Sequence, residues 1–373
     1  MSERKLAHIE RVIDLQPIQG ADRIETATVL GWQCVVKKGE VKVGDLVCYI
    51  EIDSIVPDIP YFDFMKERNF RVRTIKLRKQ ISQGLIVPCR QYKDGCLLPL
   101  GLTDTLAVYR EGDDVTEALG IVKYESQSDK ESSGNYSPKK KYPKKYPWYI
   151  RYLTRHQWFR QLTGMRSKSF PDWISKTDET RLQNIPGVLN DKSQTFYITE
   201  KLDGQSATYW YKHHWLNPEF GICSRTVRKS ESDGSNWSVV AKKLQLKQRL
   251  KAYYSTTKKQ IAIQGEIIGD KIQGNKYKID GFDFYVFNVF FIDEKRYANL
   301  SEIQWVCRQL DLKTVPLIED GFVLKPTVQE MVELSKGKSI LYPVDREGIV
   351  VRSHDQQISF KVINPDFLLK NEE

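Results

Sequence analysis

Along the first 125 residues apolar and polar positions alternate in short runs, IETATVL, WQCVVKK, DLVCYIEID, FRVRTIKLR and GLIVPC, parted by turns containing Gly, Asp and Pro. A period of two in runs this short predicts half-buried strands rather than helices. Closely spaced short strands predict a small OB-like β-barrel, although an SH3-like barrel or a small sandwich has the same one-dimensional pattern. Between residues 126 and 147 the alternation stops, and Ser clusters, three Pro and Lys139, Lys140, Lys141, Lys144 and Lys145 take over. This composition predicts a basic linker. The following WYIRYLTRHQWFRQL has Tyr149, Tyr152, His156 and Phe159 at helical spacing, so its aromatics are expected to pack. Beyond about residue 171 the pattern predicts strands near 195–212, 261–268, 283–292, 347–352 and 357–363, with helices near 237–254, 300–310 and 327–336. The fold class expected is α+β: an OB-like barrel over 1–125, a linker over 126–147, and a domain of antiparallel sheets and helices over 148–373.

Charge adds a direction to this picture. Residues 1–125 carry 18 basic and 19 acidic side chains, while the remaining 40 basic and 29 acidic residues lie beyond them, so the excess of positive charge belongs to the later part. Such a field suits a polyanionic partner, since neutralised phosphates release counterions, although a solvated basic surface has the same composition. In the barrel, RVRTIKLRK from Arg71 to Lys79 holds five cations in nine residues. Arg71 and Arg73 are candidate nucleic-acid contacts on an OB face; a protective charged edge strand is the alternative. The six cysteines show neither C-x-x-C pairs nor Cys/His spacings of a zinc site and read as reduced core residues. The N-terminus lacks a continuous apolar region, and the longest apolar stretch, Phe284 to Ile292, is too short to span a bilayer. A soluble intracellular monomer is the expectation, with no membrane partner.

No G-x-x-x-x-G-K-[ST] loop occurs, so any use of ATP must proceed without a P-loop. YITEKLDGQSATYWY reads as strand, Asp203-Gly204 turn, strand, with Lys201 at the end of the first strand. Alternation sets Lys201 on the face opposite Phe196, Ile198 and Leu202. A solvent-facing lysine beside a hairpin turn fits the same four residues. Further on, EGIVVR and QISFKVIN flank the polar turn SHDQ, and an antiparallel hairpin would set Glu347 roughly opposite Lys361. One acid and one base would then face a common cleft.

The order of these segments resembles that of the covalent nucleotidyltransferases, the superfamily of DNA ligases, RNA ligases and mRNA capping enzymes. Lys201-Leu202-Asp203-Gly204 resembles motif I, Ser224-Arg225 motif Ia, Glu266 in IQGEIIGDKIQGNKY motif III, and Phe287 in FDFYVFNVF motif IIIa. Glu347 in DREGIVVRS resembles motif IV, and Lys361 in SFKVINPDFLL resembles motif V. The resemblance implies that Lys201 is the nucleophile that takes AMP from ATP and that Glu347 is the carboxylate on the side of a divalent metal, Mg or Mn. It further implies that Glu266 accepts from the ribose hydroxyls, that Phe287 stacks on adenine, and that Arg225 and Lys361 contact phosphate or sugar. Glu200 is expected beside the base, with Asp203 and Gly204 bracing the turn or the site. A lysine attacks phosphorus only as a free amine, and its unperturbed pKa of about 10.4 leads to the expectation that the site depresses it.

Only 12 residues follow Lys361, and the OB-like segment precedes the nucleophile rather than following motif V. This arrangement resembles the RNA ligases typified by the Deinococcus enzyme, a likeness that extends to GADRIETATVLGWQCVVKKGEVKVGDLVCYIEIDSIVP and SFPDWISKTDETRLQNIP. Arg181, Gln183 and Asn184 in TRLQN match a segment upstream of the nucleophile in several RNA ligases, which implies a place near the nucleotide or the nick ends. Motif V often has two lysines separated by one residue, whereas Ser359 stands in the first position here. The family implies an ATP-dependent RNA ligase that joins a 3'-hydroxyl to a 5'-phosphate in a nicked RNA-containing duplex. A capping-type guanylyltransferase and a non-catalytic RNA-binding protein on the same scaffold are the alternatives.

Overall fold

The structure, a computed structural model, describes residues 5–99, 101–102, 107–124, 170–174, 179–191, 193–213 and 218–371. The linker and the aromatic segment from Trp148 to Leu162 lie outside the described residues.

The N-terminal strands close on a sheet in the order β3-β2-β1-β4-β5, formed by β1 (Ala7–Pro17), β2 (Ile24–Val29), β3 (Trp32–Lys37), β4 (Leu46–Ile50) and β5 (Leu85–Pro88). β1 serves two partners: Ala7–Arg11 pair with β4, and Val12–Pro17 pair with β2. A bulge between Val12 and Asp14 separates the two halves and turns Ile13 outward. Such a bulge bends the strand and lets a flat ribbon become half a barrel. β4 is buried along its whole length because Leu46, Cys48 and Ile50 enter one apolar cluster while Val47 and Tyr49 enter another. The basic run expected to be one strand is divided. Arg71–Val72 and Thr74–Leu77 are separate short strands, and Arg78 and Lys79 form the left-handed turn of a hairpin with Gln80–Gln83.

The C-terminal part contains two sheets. In the first, the short strand Thr180–Arg181 leads the order, followed by β13 (Ser359–Ile363), β12 (Gly348–Ser353), β6 (Phe196–Lys201) and β11 (Leu317–Phe322). In the second, β8 (Glu219–Cys223), β7 (Gln205–Lys212), β9 (Ile261–Gly269) and β10 (Phe282–Phe291) form the centre. The outer face of the first sheet is apolar, with Phe196, Ile198, Ile349, Val351, Phe360 and Val362 packed under helix α4 (Val328–Ser335). The second buries Ala207, Tyr209, Ile263 and Val286 under α1 (Asn236–Lys243), α2 (Leu246–Thr257) and α3 (Leu300–Leu310). The single helix expected over 237–254 is broken because Gln245 adopts a left-handed conformation between α1 and α2. α3 begins where the sequence prescribes, in a capping box of Asn299 and Glu302.

The Asp203-Gly204 turn does not close a hairpin. β6 belongs to the first sheet and β7 to the second, so the three residues Leu202–Gly204 carry the chain from one sheet to the other. Gly204 is needed there for close approach: a Cβ would lie 2.3 Å from the Ile267 carbonyl oxygen. Lys201 consequently stands at the mouth of the gap between the sheets.

The barrel is joined to the first sheet by a polar seam. The Gly31 amide donates to the Gln183 carbonyl at 2.9 Å, and Gly31 has no room for a side chain because its Cβ would lie 2.8 Å from the Gln183 Cα. Trp32 Nε1 donates to Asn184 Oδ1 at 2.5 Å, and Asn184 Nδ2 donates to Glu51 Oε1 at 2.6 Å. Arg181 pairs with Asp53 at 3.0 Å, and its guanidinium lies over the Trp32 ring. Arg71 reaches the same Asp53 at 3.4 Å and stacks on Tyr124. Glu51 continues inward to His8, whose Nδ1 lies 2.7 Å from Glu10 and whose Nε2 lies 3.5 Å from Glu51. Burial alone would lower the His8 pKa, but hydrogen bonds and charge from Glu10 and Glu51 raise it to about 9.

The sign of that shift sets a pH dependence. A histidine that gains carboxylate partners on folding stabilises fully below its unfolded pKa of about 6.5, and loses the contribution as pH rises through its folded value. Melting temperature measured from about pH 6 to about pH 10 should decline as up to about 3 kcal/mol is lost. The His8→Gln protein should show a flatter profile. Parallel decline in the two proteins would show that His8 carries no charge in the seam.

Candidate active site

Two faces meet across a cleft of about 250 Å³. Its first wall is built by alternation. On the inner side of the first sheet, Thr199 and Lys201 of β6, Val350 and Arg352 of β12, and Lys361 of β13 line the cleft, opposite the apolar residues that pack under α4. The second sheet contributes Ser206 of β7, Glu266 of β9 and Phe287 of β10.

Phe287 owes its aim to an irregular ladder. Gln264 pairs with Asn288 and Gly265 with Val286, so Phe287 is the extra residue of a bulge. A bulge leaves one residue unpaired and re-aims its side chain. Gly265, opposite it, permits the close packing: a Cβ there would lie 2.4 Å from the Tyr285 carbonyl oxygen and 2.6 Å from the Phe284 ring.

The charged groups converge near Lys201. Its Nζ lies 2.6 Å from Glu347 Oε2, with the two side chains 26% and 16% exposed. Desolvation would lower the lysine pKa, but attraction from Glu347, Glu266 and Asp203, with the Glu347 hydrogen bond, raises it overall. The expected depression is therefore not met in this arrangement: the surrounding carboxylates hold Lys201 as an ammonium. Glu266 is pushed up to about 8, by burial first and by repulsion from Glu347 and Asp203 against the opposing pull of Lys201 and Arg225. Glu347 is raised as well, by burial first and by Asp203, against Lys201 and Lys361. Burial and repulsion among these acids act against their ionisation, so added positive charge in the cleft would be favoured.

Glu347 and Lys361 share the cleft without sharing a rung. The ladder sets Lys361 opposite Val350, and Glu347 precedes β12, its carbonyl accepting from the Asn364 amide at 2.9 Å. The hairpin expectation was thus off by about three residues, because the turn begins beyond Ser353 with Asp355 in hydrogen bonds to Ser353 and Gln357.

The remaining candidates fall into two groups. Glu200, Gly204 and Arg225 line the cleft beside Lys201 and Asp203. Glu200 is 1% exposed; one oxygen accepts from the Ile340 amide at 2.9 Å and the other finds no protein partner, and burial raises its pKa. Arg71, Arg181, Gln183 and Asn184, expected at nucleic acid or the nick, are brought together at the barrel seam, while Arg73 is half-buried on the barrel. Thr180–Arg181 nevertheless lies next to β13, with Arg181 paired in parallel register with Lys361.

Sequence reasoning passed over several residues of the site. Lys276 pairs with Asp203, and the Tyr277 hydroxyl accepts from the Asp203 amide at 2.8 Å. Both lie in the IIGDKIQGNKY stretch that supplied Glu266, yet nothing in their spacing marks the contact. Arg352 is buried beside Glu179 at 2.8 Å, and the Ser359 hydroxyl donates to the same carboxylate, so Glu179 ties together the two strands that carry motifs IV and V. Arg352 faces Ser359 directly across the ladder.

Comparison with known proteins agrees with this geometry. A family model described as an OB-fold domain matches residues 6–89, and one described as RNA ligase matches residues 194–363. Comparison with curated proteins found no match. Among solved structures, a Naegleria gruberi RNA ligase mutant in apo form is 34% identical with a TM-score of 0.79, the match covering 100% of this chain and 99% of that one. Mutants of that protein with ATP and Mn and with AMP and Mn are equally similar, at 34% identity, a TM-score of 0.79 and 99% coverage of each chain. With a related protein 34% identical over 99% of its chain, an OB-fold barrel ahead of the RNA ligase domain and the motif residues gathered in one cleft, this chain belongs to the RNA ligase family.

Proposed function

We propose that this protein is an ATP-dependent RNA ligase that seals 3'-hydroxyl/5'-phosphate nicks in an RNA-containing duplex through lysyl-AMP and adenylylated-RNA intermediates. The observation that carries the reading is the convergence of Lys201, Glu266, Phe287, Glu347 and Lys361 on one cleft. The likeness to a ligase solved with ATP and with AMP supports nucleotide use by this chain.

In the first step Lys201 Nζ attacks the α-phosphorus of ATP; an N–P bond forms, the bond to the bridging oxygen breaks, and pyrophosphate leaves. AMP then passes to a 5'-phosphate, freeing the lysine. The 3'-hydroxyl attacks that activated phosphate, and AMP departs as the phosphodiester forms. Covalent catalysis divides one difficult displacement into steps with good leaving groups. In this reading Phe287 stacks on adenine, Glu200 borders the base, Glu266 accepts from the ribose hydroxyls, and Arg225 and Lys361 contact phosphate or sugar. Gly204 lets the turn sit tightly enough for Lys201 and Glu266 to face one nucleotide.

A divalent cation fits these residues. Glu347 offers hard oxygens, its pKa raised by burial and by Asp203, and among the described residues no group of three or more His, Cys, Asp or Glu is placed to hold a metal by itself. Mg or Mn held by few carboxylates, with water and phosphate completing the shell, suits that donor set. When bound, the cation would neutralise charge on the phosphate oxygens and take over from Lys201 as the counter-charge of Glu347. The residues' own task is to hold the amine, once deprotonated, in line with the α-phosphate.

Three measurements test the reading. Lys201→Ala should abolish both AMP attachment and sealing, whereas ATP rather than GTP should label the unaltered protein. Intact-mass detection of one AMP on the Lys201→Ala protein would sink the assignment. For Glu347→Ala, sealing should fall by about 100-fold or more while melting shifts by only a few degrees. A poorly folded variant with normal sealing would make Glu347 a structural ion-pair partner. Nicked duplexes with each strand varied between RNA and DNA should be sealed only where the 3'-hydroxyl strand ends in ribonucleotides, because a site built to use the 2'-hydroxyl loses contacts with DNA. Equal rates on RNA and all-DNA 3'-ends would reject the RNA specificity and leave the covalent chemistry intact.

A further inference from the structure

The loop after β9 is shaped at unusual conformational cost. Between Gly269 and Gly281 the non-glycine residues Lys271, Gln273, Asn275 and Lys278 all adopt left-handed conformations, with φ of 62°, 45°, 47° and 53°. Non-glycine residues in that region carry strain, which persists only where neighbouring contacts determine the backbone. Here the contacts are explicit. Asn275 Nδ2 donates to the Ile279 carbonyl at 2.9 Å, its Oδ1 accepts from the Ile279 amide at 3.0 Å, and the Asp270 amide donates to the Gly281 carbonyl at 2.8 Å.

What this loop delivers is Lys276 and Tyr277. Tyr277 is 4% exposed and accepts the Asp203 amide, fixing the backbone of the turn that follows the nucleophile. Lys276 Nζ lies 2.5 Å from Asp203 Oδ2, with the two side chains only 24% and 14% exposed, and 4.4 Å from the centroid of Phe367. Phe367 is buried on helix α5 (Pro365–Asn371). That helix also reaches the barrel: Leu368 packs on the cluster of Val12, Trp32 and Tyr49, and the helix lies beside Thr74–Leu77. A half-buried ammonium bracketed by a carboxylate and an aromatic face is held on both sides by electrostatics that solvent screens weakly.

We propose that Lys276 is a positioning residue for adenylylation: it bridges Asp203 and Phe367 and thereby locks the turn carrying Lys201 against the helix on which the barrel rests. This inference rests on Lys201 being the adenylylated residue. Lys276 touches neither nucleotide nor reacting atoms in this account and acts through Asp203. Its charge, rather than its bulk, makes the link, because both partners recognise a cation. Leu202 and Tyr277 meet in one apolar cluster beneath the turn, so the turn has packing below it and the ion pair above it.

The test uses the full chain and single-turnover AMP attachment, with rate constant and ATP dependence measured separately. Lys276→Met keeps length and removes charge. It should lower the rate constant at saturating ATP by about 10-fold or more while the half-saturating ATP concentration changes less than about 3-fold, because an interaction felt in the transition state is lost rather than uniform binding. Lys276→Arg should recover the rate to within about 3-fold, since the cation is retained. If Lys276 acts through Asp203, the double variant Lys276→Met/Asp203→Asn should be no slower than Asp203→Asn alone, the non-additivity expected of residues in contact. Wild-type attachment by Lys276→Met, equal losses in the Met and Arg variants, or additive losses in the double variant would each overturn the proposal. Should Lys276→Met melt well below the wild type, the comparison between Asp203→Asn and the double variant still decides. Lys201→Ala run in parallel separates the two levels: AMP on that protein refutes the nucleophile, whereas its loss beside an unaffected Lys276→Met refutes only the positioning role.

Discussion

The close approach of two sheets at Gly204 governs the catalytic part of the molecule. With a Cβ excluded by the Ile267 carbonyl, the chain passes from β6 to β7 in three residues, and the two inner faces are left just far enough apart to enclose a nucleotide-sized cleft. Everything chemical follows from that spacing. Lys201 ends one strand, Ser206 begins the next wall, and Glu266 comes into line with Ser206 across the ladder. A longer connection would place the same residues on independent surfaces and forfeit the effective concentration that orientation provides.

Enclosing Glu266 and Glu347 beside Lys201, with burial and Asp203 raising both acids, creates an electrostatic demand. In the arrangement described, Lys201 meets part of it through Glu347 at 2.6 Å, and the neighbouring carboxylates raise its pKa against the effect of burial. A further cation among the acids would loosen their hold on Lys201. Any reaction at Lys201 would thereby depend on what else occupies the cleft. A lysine kept neutral by a dry pocket would be available at all times, to productive and unproductive electrophiles alike.

Much of this could be read in the chain, and the limits have physical causes. Period-two alternation located β2, β3, β4 and the strands that line the cleft because each buries at least one face, and motif order brought Lys201, Glu266, Phe287, Glu347 and Lys361 to one place. What escaped was long-range. The Asp203-Gly204 pair has the local signature of a hairpin turn, and only the partners of β6 and β7, distant in sequence, reveal that they belong to different sheets. The partners of Arg181 and Asn184 in the seam, Asp53 and Glu51, lie more than 100 residues away in sequence, so spacing alone could not name them. The break at Gln245 lies inside a run with good helical periodicity, where packing rather than propensity sets the boundary. Lys276 is one of many lysines until its distance to Asp203 is known.

The bulge in β10 has a consequence for how such a cleft tolerates change. Because Phe287 faces inward through an extra residue in the ladder, its direction is a matter of counting rather than of chemistry. An aromatic-to-aromatic replacement preserves the aim, but loss of a single residue from the strand would restore regular alternation and shift the parity of everything on one side of the deletion. That wall of the cleft is therefore tolerant of substitution and brittle to indels, and variation in this strand should accumulate by exchange of side chains while its length stays fixed.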